Sequence, residues 1–245
     1  MAHNEFVIDS ACRAVLFNLD GVFTDTAIQH ARAWKETLDP FLIANNCLPR
    51  FDLVGDYANC FAGRERSEGL RSFLGSRGRR AATLAVDETH FQSLCDQKNK
   101  LYQKYIKQNP IHVFEDSIEL ANRAKRLGIR LALVTASQNA YLILESTDLV
   151  NYFDLIVDGK TVRDVGLQPK PAADAFEHAA RGLGVQYSEC LVVEDSAPVL
   201  RAAAERGPWA VLGVLRNSSY EDRRRRFGSW PSVSDLSTVR FYEGK

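Results

Sequence analysis

The sequence has no excess of charge of either sign. Its 245 residues hold 31 Lys and Arg against 31 Asp and Glu, a formal net charge of zero. Nucleic-acid binders draw affinity largely from phosphate neutralisation and carry a basic excess, so this balance argues against nucleic acid as the main partner. No run of about 18 apolar residues occurs, so no membrane partner is expected. The first residues, Met1 to Glu5, lack the basic stretch and apolar run of a secretory leader. Cysteines are few, odd in number and widely spaced: Cys12, Cys47, Cys60, Cys95 and Cys190, with no CxxC. This excludes a disulfide framework or a cysteine zinc site and points to free thiols in a reducing, cytoplasmic compartment. Repeats and low-complexity segments are also lacking. What remains is an ordinary globular composition, 45% hydrophobic and 25% charged. A chain of this length buries roughly 70–75% of its unfolded surface and needs no staples.

Three short apolar runs read as strands buried on both faces: Ala14 to Phe17, Leu131 to Val134 and Leu191 to Val193. Leu155 to Val157 and Ala210 to Val214 are weaker candidates. Between them lie helical patterns. Ser117 to Leu127 is stopped by Gly128, and Ala172 to Leu183 follows Pro171, which suits a first helical position. Alternating strands and helices from about residue 111 predict right-handed βαβ units and a Rossmann-like, doubly wound parallel sheet, an α/β fold. The stretch from 27 to 110 carries helical stripes instead, among them Ala27, Ala31, Trp34 and Leu38, and later Phe91, Leu94, Cys95, Leu101, Tyr102 and Tyr105. The expected organisation is a core of residues 1–26 and 111–245 with a helical cap, 27–110, inserted after the first core strand. The run Arg223 to Arg226, after Glu221 and Asp222, reads as a solvated helix face.

Each strong strand ends in polar residues: Asn18-Leu19-Asp20-Gly21, Thr135-Ala136-Ser137, and Glu194-Asp195-Ser196. Ligands of doubly wound sheets bind at the carboxyl ends of strands near the topological switch point, where these clusters would converge. Lys170-Pro171 sits just before a helix in the same half of the chain. Converging carboxylates from Asp20, Glu194 and Asp195 repel one another unless protonated or neutralised by a cation. Oxygen donors on short loops suit Mg²⁺, which also accepts phosphate oxygens. Thr135 supplies a hydroxyl and Lys170 a point charge, both suited to a phosphoryl group.

The order FNLDGVFTDT, LVTAS, KP and VVEDS resembles the four motifs of the haloacid dehalogenase superfamily, over residues 14 to 238. The segment through Lys35, with Thr24, Asp25, Thr26, His30 and Trp34, is similar to the extended first motif of the β-phosphoglucomutase-like subfamily. That resemblance implies a mobile cap, a Mg²⁺ cofactor and phosphoryl transfer through an aspartyl-phosphate on a small sugar phosphate. It places the catalytic set at position 18, Asp20, Thr135, Lys170 and His30, and the metal ligands at Asn18, Asp20, Glu194 and Asp195. It implies substrate contacts from Arg66, Lys98, Trp34, Ser137, Gln138 and Asn139. A monomer is the family's default.

Position 18 departs from the pattern. The family has an aspartate nucleophile where this chain has Asn18, and an amide is a very poor nucleophile and a weaker metal ligand. The chain as written is therefore expected to bind rather than turn over. An Asp-to-Asn exchange that traps substrate is the preferred origin, because Asp20, Thr135, Lys170, Glu194 and Asp195 all remain. Two further departures favour a phosphatase over a β-phosphoglucomutase-type mutase. Gln138 replaces a mutase lysine, and the segment Gly75 to Val86 is longer than a minimal mutase cap. A catalytically dead sugar-phosphate-binding protein is the third reading. A dehalogenase is disfavoured, since that chemistry needs neither the metal carboxylates nor a phosphate-gripping arginine.

Overall fold

A computed structural model describes residues 6–78 and 88–242. Most of the 75–86 segment invoked above, and the residues before 6, lie outside it. The chain forms two compact units, residues 1–25 with 112–245 and residues 26–111.

The first unit is built on a six-stranded, wholly parallel sheet. Its strands are β2 (Ala14–Phe17), β3 (Arg130–Val134), β4 (Leu155–Val157), β5 (Cys190–Glu194), β6 (Ala210–Val214) and β7 (Ser232–Val233). Their order is β4-β3-β2-β5-β6-β7, with Ala14 in register with both Arg130 and Cys190. The apolar runs are strands because both faces are covered: every residue of β2 and β5 is buried. Connections after β2 run toward β3, and those after β5 run toward β6. The topological switch point therefore falls between β2 and β5. A separate two-stranded parallel pair joins β1 (Val7–Ile8) to β8 (Arg240–Phe241).

The helix expected at 117–127 spans Glu115–Arg126, and Gly128 accepts the left-handed conformation that ends it. The helix expected from Ala172 starts later, at Asp174. Pro171 is not its first residue. It lies three residues upstream, joined to Lys170 by a cis peptide. The arginine run lies on the helix Tyr220–Phe227, where Arg224 and Arg225 are exposed and Arg223 and Arg226 half-buried.

The second unit is helical among its described residues, with Ala27–Ala44, a π-helical turn at Tyr57–Phe61, Arg66–Ser76 and Glu88–Gln108. Its core gathers Trp34, Leu38, Phe51, Phe61, Phe73, Phe91 and Leu94. The long helix Glu88–Gln108 buries Phe91, Leu94, Cys95, Lys98, Tyr102 and Ile106, so the lysine is part of the buried stripe. Among the described residues no helix is long and apolar enough to cross a membrane.

Candidate active site

The β2 and β5 carboxyl ends deliver the first cluster. Asn18 directly follows β2, and its backbone N–H donates to Val193 O at 2.9 Å, which extends the sheet pairing one residue further. The chain then turns sharply: the N–H groups of Phe23 and Thr24 both donate to Leu19 O, and Gly21 N–H donates to Thr24 O. Gly21 has φ +81°, and a Cβ there would lie 2.4 Å from Asp195 Oδ2. Only glycine fits this turn, for its dihedral and for the approach of Asp195.

Lys170 is buried at the centre of the cluster. Its ammonium donates to Glu194 Oε1 at 2.7 Å, Val134 O at 2.8 Å and Asn18 Oδ1 at 3.2 Å. All three hydrogens of the group are used. The Asn18 amide is thereby oriented. Lysine can only donate, so Oδ1 faces it, and Nδ2 donates to Asp20 O at 2.8 Å and to Asp195 Oδ1 at 3.0 Å. Glu194 is engaged on both oxygens, since Oε2 accepts the Ser196 N–H at 2.8 Å. The Asp195 carboxyl is pushed well above the usual carboxylate range. Burial is the main cause, followed by the charge of Glu194, a hydrogen bond to it, and the charge of Asp20; Arg226 opposes the rise.

The donor chemistry only partly suits a metal ion. Asp195 and the Asp20 carbonyl are hard oxygen donors, but the group between them is an amide N–H₂, which repels a cation. Among the described residues no group of three or more His, Cys, Asp or Glu side chains is arranged to hold a metal. Two of the residues expected as metal ligands have protein partners here. Asn18 turns its nitrogen toward the other donors, and Glu194 serves Lys170 and the Ser196 amide.

Thr135 follows β3 and is buried, its Oγ1 accepting the Ser137 N–H at 3.1 Å. Ser137 Oγ accepts the Asn139 N–H at 3.2 Å, which ties this turn to the start of the helix Ala140–Ser146. Gly159 packs on the same turn: a Cβ would lie 2.5 Å from Ala136 O and 3.0 Å from Gln138 Cγ. Thr135, Ser137, Gln138 and Asn139 are thus one structured loop of the first unit.

The second unit holds its own polar set. Lys98 is only 3% exposed, and its Nζ lies 2.6 Å from His30 Nδ1. The ammonium sits over the rings of Tyr102 at 4.6 Å and Trp34 at 5.5 Å, and the His30 ring stacks on Tyr102 with centroids 3.8 Å apart. Lys98 does not snorkel outward. Arg66 Nη2 donates to Asn99 Oδ1 at 2.9 Å, and burial pulls the Arg66 pKa below its ordinary value. Trp34, expected as a substrate contact, lies in the apolar core of the second unit. It is 2% exposed and packs against Phe61, with centroids 4.4 Å apart, inside the apolar core.

Sequence reasoning missed one feature of the first unit. Arg216 donates to Val22 O and Ser117 Oγ, both at 2.9 Å, and pairs with Asp116. Ser117 Oγ also donates to Val22 O at 2.7 Å. These bonds pin the turn that carries Asp20 to the start of the helix Glu115–Arg126. No local motif marks Arg216, because its partners are about a hundred residues or more away in the chain.

The haloacid dehalogenase-like hydrolase profile matches residues 12–207, which spans β2, β3, β5 and all of the first cluster. The chain belongs to the haloacid dehalogenase-like hydrolases. Within that family it stands with the β-phosphoglucomutase-like branch. It is similar to the β-phosphoglucomutase of Mycobacterium bovis, with 34% identity over 241 residues covering 93% of this chain and 91% of the relative. The fold matches the crystal structure of β-phosphoglucomutase from Clostridium difficile, with TM-score 0.72, 23% identity, and 94% and 93% of the two chains covered. It also matches an Asp-to-Asn mutant of CbbY from Rhodobacter sphaeroides in complex with xylulose-(1,5)bisphosphate, with TM-score 0.70, 22% identity, and 94% and 97% covered. The relatives are enzymes of the phosphatase and phosphoglucomutase type.

Proposed function

We propose that the cluster at Asn18 is the phosphoryl site of a small-sugar-phosphate phosphatase, held in a form that binds without turnover. The observation that carries this reading is the set of contacts among Asn18, Lys170, Glu194 and Asp195 at the switch point. A buried ammonium, a neutral amide and two carboxylates are expensive to assemble and serve no packing purpose. Lys170 holds the side chain of residue 18, and Asp20 extends from the turn pinned by Gly21. With aspartate at 18, its oxygen would attack phosphorus, the bond from phosphorus to the sugar oxygen would break, and Asp20 would protonate that oxygen. Asp20 would then take a proton from the water that releases phosphate. Mg²⁺, when bound in that form, would neutralise charge on the phosphoryl oxygens.

Asn18 interrupts the first of these steps. Its nitrogen lone pair is delocalised into the carbonyl, and its oxygen accepts from Lys170. Thr135, Ser137, Gln138 and Asn139 form the loop proposed to hold phosphate oxygens. Arg66 with Asn99, and Lys98 with His30, are proposed as the substrate-binding groups of the second unit. The five free, buried cysteines support a reducing, cytoplasmic setting.

The mutase reading is second. Gln138 stands where a mutase lysine would hold the second phosphate of a bisphosphate intermediate, so hydrolysis is favoured. The Asn18→Asp protein, supplied with a hexose phosphate and Mg²⁺, decides between them. A phosphatase releases inorganic phosphate in step with substrate loss. An isomeric sugar phosphate with no free phosphate would overturn the hydrolytic reading.

A further inference from the structure

We infer that the Asn18 amide is a built-in stand-in for a divalent cation, so that this chain assembles its phosphoryl site without a metal and binds metals weakly. The amide nitrogen bridges two acceptors, the Asp20 carbonyl at 2.8 Å and Asp195 Oδ1 at 3.0 Å. An oxygen-loving cation would seek the same two atoms. The orientation is locked from the other side, because Oδ1 accepts from Lys170. Turning the amide to offer its oxygen to a cation would set Nδ2 against the Lys170 ammonium, donor against donor. It would also break both bonds to Asp20 and Asp195.

Charge leads the same way. An aspartate at 18 would set four carboxylates, with Asp20, Glu194 and Asp195, against two cationic groups, Lys170 and Arg226. That excess calls for a bound cation. Asparagine removes one of those charges and supplies two N–H donors in its place. Gly21, lacking a Cβ, leaves room for Asp195 to close on the amide.

The inference rests on reading the cluster as a cation and phosphate site, and its test does not depend on turnover. Mn²⁺ serves as the probe, with free ion followed by electron paramagnetic resonance for the intact chain and for Asn18→Asp. The expected result is Mn²⁺ affinity about tenfold or more higher in Asn18→Asp, a difference of about 1.4 kcal/mol or more. Thermal unfolding in EDTA and in excess Mg²⁺ is the second readout. The parent midpoint should be nearly unchanged by Mg²⁺, whereas Asn18→Asp should be less stable than the parent in EDTA and recover with Mg²⁺. Asn18→Ala removes the amide without adding charge. It should be less stable in EDTA than the parent, which keeps the test valid should Asn18→Asp fail to fold without metal. Equal Mn²⁺ affinity in parent and Asn18→Asp, or equal EDTA stability of parent and Asn18→Ala, would overturn the inference. Tight Mn²⁺ binding by Asn18→Asp with no turnover of any sugar phosphate would uphold it while sinking the phosphatase reading.

Discussion

Lys170 Nζ and Glu194 Oε1 lie 2.7 Å apart with both side chains essentially removed from solvent. They join the segment before the helix Asp174–Leu183 to the end of β5. The pair is isolated from water, so its two members depend on each other. Lys170→Met should cost about 3–5 kcal/mol, because it strands the Glu194 charge and frees Asn18 Oδ1 and Val134 O. The double variant Lys170→Met, Glu194→Gln should recover much of that loss. Urea unfolding of the four proteins in the cycle measures both effects, and an additive cycle would contradict the coupling.

Gly21 makes a separate prediction. Its φ of +81° and the mere 2.4 Å that would separate an added Cβ from Asp195 Oδ2 act together. Gly21→Ala should cost about 2 kcal/mol or more, from left-handed strain and displacement of Asp195. In the Asn18→Asp background it should also depress turnover, since the turn it distorts carries Asp20. Denaturation curves and phosphate release check the two halves independently.

The second unit predicts a proton position. Lys98 offers only donors, so His30 Nδ1, 2.6 Å from it, must accept, and the ring proton sits on Nε2. Nitrogen-15 NMR of the imidazole should report the Nε2–H tautomer in the parent. Lys98→Met keeps the aliphatic stem and removes the donor, and should admit the other tautomer. Observation of Nδ1–H in the parent would contradict the contact.

Thiol titration gives the pH prediction. Burial raises Cys12 to about 11, and burial followed by the neighbouring Cys12 raises Cys190 to about 12. Unfolded thiols ionise at about pH 8.5. The native state therefore holds these protons longer than the unfolded chain. The resulting stability is fully present below about pH 8.5 and declines as pH rises toward the native values. At pH 8 burial keeps both thiols almost wholly protonated in the folded protein. Ellman's reagent should leave both thiols unmodified at pH 8 until denaturant is added, and Cys12→Ala should flatten the loss of stability above pH 9.

The main strands were legible because each is a short apolar run buried on both faces: 14–17, 131–134 and 191–193. The two-residue strands at Val7–Ile8, Ser232–Val233 and Arg240–Phe241 were not, since two residues have no periodicity to read. The polar ends of β2, β3 and β5 could be found by motif order, and the structure brings Asn18, Lys170, Glu194 and Asp195 into contact. What Asn18 does there could not be read. The orientation of its amide is set by Lys170, 152 residues away. That Trp34 packs in the apolar core could not be read, because an aromatic on an amphipathic helix has the same spacing whether it lines a core or meets a ligand. Arg216 escaped for the reason Lys170 did not: no recurring local pattern accompanies it.

The measurement that tests the account most directly is phosphate release from a panel of hexose and disaccharide phosphates with Mg²⁺, comparing the chain with its Asn18→Asp form. The parent should bind a preferred sugar phosphate without releasing phosphate, and Asn18→Asp should turn the same compound over. Failure of both forms to react with any sugar phosphate would contradict the assignment of residue 18 as the nucleophile position of a sugar-phosphate phosphatase.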